Sequence, residues 1–204
     1  MQLFLCLKFN LFNMKKFELR TLYKKKRKSL SEEEILDRSK KILNQARNMP
    51  IWNKDYYHIF LPIERHFEVN TWPFIHFIRE ELKKTVVVPK TNFNDFSLEH
   101  IKFDVDTVTY KNKFGIPEPI RGIQILPENL DIVFVPLFTF DKEGNRVGFG
   151  KGFYDRFLKK CTPDTLFIGL TLFDEMEEID DVHNLDQVLH YCISPNKVYS
   201  FIDK

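Results

Sequence analysis

Glycine is scarce in this chain. Seven glycines among 204 residues is about half the usual share of roughly 7%. Cysteine is scarcer still: Cys6, Cys161 and Cys192 make an odd count with no CxxC spacing. That excludes a disulfide framework and a cysteine-based zinc site and fits a reducing, cytoplasmic location. Neither HExxH nor GxSxG occurs, and the six histidines are scattered without ligand spacing, which removes the common zinc-hydrolase and serine-hydrolase signatures. The net charge is only +2, so no overall basic excess points to nucleic acid. The apolar start MQLFLCLKFNLFN is broken by Lys8 and is too short to span a bilayer. It lacks a basic leader and an A-x-A-like cleavage site. Residues 1–13 are expected to precede the natural start or to form a weakly ordered extension, with the working domain at 14–204 and no membrane contact.

What is present describes an ordinary globular chain. Hydrophobic residues make up 43% and charged residues 29%, and the length suits one domain with a real core. The 21 phenylalanines read mainly as core filler. The small net charge hides an asymmetry. Residues 1–30 carry nine Lys/Arg and one acid, whereas residues 171–190 carry seven acids and no Lys or Arg.

Periodicity predicts a helix over Lys15–Leu30, with Lys16 and Arg20 four residues apart and therefore on one face. Ser31 and Glu34 form a capping-box signature opening a second helix that ends near Pro50. Strands are predicted at Tyr56–Leu61, Thr85–Pro89, Ser97–Phe103, Asp131–Pro136, Thr165–Leu172, Leu189–Ser194 and Lys197–Ile202. Further helices are expected from Thr71 and Pro73 to Leu82 and over Phe153–Cys161. The segment Phe114–Pro119 cannot be regular helix or central strand, and the acidic stretch 174–186 reads as loop. Strands alternating with helices predict an α/β fold: a single three-layer domain whose mostly parallel central sheet is flanked by helices.

The sparse glycines are also clustered. Gly144, Gly148, Gly150 and Gly152 fall within nine residues, between the apolar strand DIVFVP and the helix starting YDRFLKK. Ligands of open α/β sheets gather beyond the carboxyl ends of the strands. Glycines there let backbone N–H groups approach an anion, and the next helix N-terminus favours negative charge. Lys151 and Arg146 are candidate phosphate cations, and Asp155 is a candidate magnesium ligand. The loop is neither a Walker A sequence nor GxGxxG. By generic rules it is an anion-binding loop or simply a tight turn, and Asp155 is a metal ligand or an ordinary helix-start acid.

The run from Phe140 to Arg156, FDKEGNRVGFGKGFYDR, closely resembles the signature of the 5-formyltetrahydrofolate cyclo-ligase (methenyltetrahydrofolate synthetase) family, roughly FDxxGxRLGxGKGYYDR. Lys16-Phe-Glu-Leu-Arg20 resembles the family's KxxLR, and Ser29-Leu-Ser31 the Leu-Ser after it. Phe60-Leu-Pro62, Glu68-Val-Asn-Thr71 and Ile116-Pro-Glu-Pro119 resemble later elements in the same order. The similarity spans about Lys15 to Val188.

The resemblance implies a reaction. ATP and 5-formyltetrahydrofolate give 5,10-methenyltetrahydrofolate, ADP and phosphate, with magnesium as cofactor. It implies small-molecule partners only, no nucleic acid, and a monomer. Carried over position by position, Lys16, Arg20, Arg146, Gly148, Gly150, Lys151, Gly152, Phe153 and Tyr154 are expected to bind ATP. Leu61, Glu68, Phe149, Gly150, Lys151, Gly152 and Phe153 are expected to border the folate. Lys151, Tyr154 and Arg146 are the expected catalytic residues, and Asp155 and Asp181 the metal ligands. Phe153 replaces the usual Tyr. The family places its second metal Asp four residues before the Asp of a late Leu-Asp pair. That pair is Leu185-Asp186 here, and four back stands Val182, so Asp181, one residue off, takes the assignment. Two other readings compete: a non-catalytic relative binding nucleotide, or RNA through Lys24–Lys28, and a phosphosugar or coenzyme A enzyme of related architecture.

Overall fold

The computed structural model describes residues 14–202. The apolar start at 1–13, with Cys6, lies outside the described residues. Helix α1 (Lys16–Lys28) and helix α2 (Glu32–Arg47) lead the chain. The predicted capping box is formed. The Ser31 hydroxyl accepts from the Glu34 amide at 3.1 Å, and Glu34 accepts from the Ser31 amide at 2.7 Å.

Seven strands make one sheet: β1 (Tyr56–His58), β2 (Thr85–Asn92), β3 (Ser97–Lys102), β6 (Ile132–Pro136), β9 (Leu166–Leu170), β10 (Tyr191–Ile193) and β11 (Val198–Ser200). Two short ribbons lie apart, β4 (Thr109–Lys111) with β5 (Pro117–Pro119), and β7 (Thr139–Phe140) with β8 (Arg146–Val147). The sheet order is β11-β10-β9-β6-β1-β2-β3. The inner strands pair in parallel, and both edge strands are antiparallel. Helix α3 (Trp72–His76) continues as a π turn (Phe77–Glu81), and α4 spans Phe153–Leu158.

The period-2 rule of a strand buried on both faces is visible in β6. Ile132 and Phe134 enter the core beneath α1, α2 and α3 with Leu19, Tyr23, Ile42 and Phe74. Val133 and Val135 enter the opposite core with Phe157 and Leu158 of α4. The three-layer α/β expectation therefore stands. Several predicted elements are shorter than expected. The strand at Tyr56 stops at His58 and the helix at Phe153 stops at Leu158. β2 is longer than expected, running through Pro89 to Asn92 because β3 pairs with it over six residues. The proline-rich 114–119 segment contributes β5 to a two-stranded ribbon, where prolines without N–H are tolerated.

Candidate functional site

The glycine loop begins where β6 ends, at the carboxyl edge of the sheet. The β7–β8 ribbon closes its base. The Asp141 carboxylate accepts from the Glu143 and Asn145 amides at 2.9 Å each, and Gly144 takes φ +83 to make the reversal. Beyond the ribbon the loop lies against α1. Arg20 Nε donates to the Gly148 carbonyl at 2.7 Å. A Cβ on Gly150 (φ +86) would sit 3.0 Å from the Arg20 guanidinium carbon. The close approach that the glycines permit is thus to an arginine reaching across from α1.

The loop forms one wall of a cleft of about 750 Å³, within the size range of small-molecule sites. Lys16, Arg20, Arg146 and Lys151 supply four cations to its lining, with Asp155 and Asp186 beside them. Arg146 is almost fully buried. Its Nη2 donates to Asp155 Oδ1 at 2.6 Å, and its Nη1 donates to the Gln187 carbonyl. Burial lowers the Arg146 pKa, and Asp155 opposes that shift. Lys16 forms an ion pair with Asp186. Burial alone would raise the Asp186 pKa, but hydrogen bonds from Lys16 and the His183 amide leave it below the usual carboxylate range.

The other end of the cleft is aromatic. Phe93, Phe96, Phe114, Phe149 and Phe153 line it with Leu61. The Phe93 and Phe114 ring centres lie 4.2 Å apart with the rings tilted, and those of Phe93 and Phe96 each lie 5.7 Å from Phe153. Glu68 is buried here and accepts the Ile63 amide at 2.7 Å. Burial pushes its pKa up to about 7 against the opposing pull of Arg27 and that amide. Arg27 is itself buried at 2% exposure, donates to the Leu137 carbonyl at 2.7 Å and lies over Phe138. Burial lowers its pKa to about 10. The Tyr154 hydroxyl is buried without a hydrogen-bond partner among the described residues, and burial and Glu68 both raise its pKa. Behind it stand His58 and His100, ring centres 5.1 Å apart.

Lys16, Arg20, Leu61, Glu68, Arg146, Gly148, Phe149, Gly150, Lys151, Gly152, Phe153, Tyr154 and Asp155 all line this one cleft. Asp181 is not among the lining residues. Its carboxylate accepts the Lys16 backbone amide at 2.6 Å, at the start of α1. The acid that shares the cleft with Asp155 is Asp186. Arg27 was hidden in the run Lys24–Lys28, which the sequence offered only as a candidate RNA contact. Its signal was spacing: Leu19, Tyr23 and Arg27 are four apart and all buried.

Hard oxygen donors suit magnesium, which binds through one or two carboxylates plus substrate phosphates. Asp155 and Asp186 match that donor set. Asp155 Oδ2 accepts no hydrogen bond among the described residues, which also hold no cluster of three or more His, Cys, Asp or Glu for an all-protein metal cage. No helix among the described residues is long and apolar enough to cross a membrane.

Residues 13–187 match the profile described as the 5-formyltetrahydrofolate cyclo-ligase family. The 5-formyltetrahydrofolate cyclo-ligase of Haemophilus influenzae is 31% identical over 170 residues, covering 82% of this chain and 90% of that protein. The enzyme of the same name from Mus musculus is 30% identical over 158 residues, covering 73% of this chain and 76% of that protein. Among solved structures, 5,10-methenyltetrahydrofolate synthetase from Aquifex aeolicus superposes with TM-score 0.78 at 30% identity, over 94% of this chain and 95% of that one.

Proposed function

This chain belongs to the 5-formyltetrahydrofolate cyclo-ligase family, and we propose that its cleft uses ATP and magnesium to close 5-formyltetrahydrofolate into 5,10-methenyltetrahydrofolate. The observation that carries this reading is the division of one cleft into a cationic end and an aromatic end with a buried carboxylate. In this reading the enzyme acts on small molecules, as a cytoplasmic monomer, and one chain supplies both ends of the cleft.

In this reading Lys16, Arg20, Arg146 and Lys151 hold the triphosphate, with the backbone of Gly148, Gly150 and Gly152 beside it. Phe149 and Phe153 border the reduced folate with Leu61, and Glu68 accepts N–H donors of its pterin ring in bidentate fashion. The formyl oxygen attacks the γ-phosphorus and ADP leaves. The neighbouring folate nitrogen then attacks the formyl carbon, the ring closes, and phosphate departs with the former formyl oxygen. No protein nucleophile is needed, so the residues act by positioning and by offsetting negative charge. Lys151 and Arg146 face the transferring phosphoryl group, and Tyr154 packs beside the reacting formyl. Asp155 and Asp186 would hold magnesium, which supplies charge neutralisation on the phosphates. That assignment gives Asp186 the place first expected of Asp181, whose carboxylate serves the α1 terminus.

The test is direct. Purified protein with 5-formyltetrahydrofolate, ATP and magnesium should generate the near-ultraviolet absorbance of the methenyl product, and omission of ATP or magnesium should abolish it. Product formation without ATP, or none with all three present, rejects the proposal.

A further inference from the structure

Two cations and two carboxylates at the charged end of the cleft are matched with each other. Lys16 pairs with Asp186, and Arg146 with Asp155. Gln187, the chain neighbour of Asp186, binds both members of the second pair. Its N–H donates to Asp155 Oδ1 at 3.3 Å, and its carbonyl accepts from Arg146. The acidic segment is also stitched to the start of α1. Asp181 accepts the Lys16 amide, and Met14 bridges to Ile179. The paired side chains are only 12% and 22% exposed for Lys16 and Asp186, and 6% and 32% for Arg146 and Asp155. Salt screens such charges less than it screens charges on the open surface. These four charges sum to zero and leave Arg20 and Lys151 as the net positive charge, so a polyanion entering alone must compete with two carboxylates for Lys16 and Arg146.

We propose that Asp186 is a positioning residue that works with Asp155 as an ion-pair exchange. The two carboxylates hold Lys16 and Arg146 extended at the places where phosphate oxygens bind. They release those cations when they turn to a divalent cation that enters with the nucleotide. This rests on reading the charged end as the magnesium–ATP site. Its consequence is thermodynamic coupling: metal and nucleotide strengthen each other's binding by the same factor.

The experiment measures ATP binding by calorimetry, once with a chelator and once with magnesium, for the wild type and for Asp186→Asn. Neutralising Asp186 frees Lys16, so metal-free ATP should bind about 5–10-fold more tightly to the variant, and the gain conferred by magnesium should shrink by about the same factor. Adding Lys16→Met should cancel the metal-free gain. Unchanged or weaker metal-free binding by folded Asp186→Asn overturns the proposal, since a plain metal ligand or a purely structural acid gives that result. Should the variant not fold, magnesium added to the wild type with ATP must shift the Lys16 ammonium resonance from its position with metal-free ATP, the resonance being assigned by its loss in Lys16→Met. A resonance that stays fixed overturns the exchange. ATP that fails to bind the wild type even with magnesium rejects the ATP reading itself, an outcome distinct from bound ATP without exchange.

Discussion

At the charged end of the cleft, Lys16 and Arg146 each face a carboxylate. Behind the aromatic end, the Tyr154 hydroxyl, Arg27 Nε, both ring nitrogens of His58 and Nδ1 of His100 lie buried without a hydrogen-bond partner among the described residues. The two ends handle polarity by different physics. Where opposite charges meet, each supports the other's ionised form, and Asp186 stays below the usual carboxylate range. Where water is excluded, the charged form is penalised. Glu68 rises to about 7 and His100 falls to about 4, with burial as the leading cause of each. One end is therefore suited to taking up a highly charged ligand. The other is suited to a flat, weakly charged ring system read by a few polar groups.

The sharpest way to break this contrast is to remove Lys151, an exposed cation of the loop whose loss should not disturb folding. Lys151→Ala is expected to lower kcat by about 10²–10³-fold with little change in folate affinity, as befits a group acting on developing charge. A variant within about threefold of wild type would show that the loop cations do not contribute at the reacting phosphate.

The aromatic end should answer differently. Glu68→Gln is expected to raise the folate KM by about 10–100-fold, the scale of hydrogen bonds to a charged group, with a smaller effect on kcat. Because the Glu68 pKa is raised to about 7, the carboxylate is lost as pH falls through that value. Wild-type folate affinity should therefore weaken below about pH 7, and the Gln variant should show no such dependence. A wild-type profile flat from pH 8 to pH 6 contradicts an ionised Glu68 as the folate acceptor.

The smallest expected effect concerns stability. His58 and His100 are held neutral by burial, His58 well below its ordinary value of 6.5 and His100 near 4. The unfolded chain protonates these groups near 6.5, whereas the folded protein does not until lower pH. Below pH 6.5 the unfolded state therefore binds more protons, and stability falls as pH falls. Between pH 6.5 and 5 the loss is about 2 kcal/mol for each histidine at most. Urea denaturation at pH 7 and pH 5 measures it, and His100→Asn should flatten the dependence. An equal slope in the variant would assign acid sensitivity to other groups.

Much of this arrangement was legible in one dimension because its causes are local. The capping box of Ser31 and Glu34 closes within one turn, and β6 shows its double burial in an unbroken apolar run. The glycine loop was legible as a unit, and its KxxLR companion was read as one helix face, which α1 bears out. The limits were of range. The edge pairing that lengthens β2 to Asn92 and the ribbon that accepts Pro117 and Pro119 depend on partners outside their own segments. Asp181 and Asp186 both sit in an acidic loop without periodicity, and counting back from Leu185-Asp186 cannot say which carboxylate turns into the cleft. Arg27 stood within a basic run of five, and only packing against Leu137 and Phe138 shows that it is buried.

The sequence by itself determined the α/β class, the loop with its cations and the family to which the chain belongs. Those properties are written in spacing along the chain, and spacing survives without coordinates. Only the tertiary structure decided which charges pair, which are stripped of water and what environment Glu68 has. Ion pairing and desolvation depend on how segments pack in space, and 170 residues separate Lys16 from its partner Asp186.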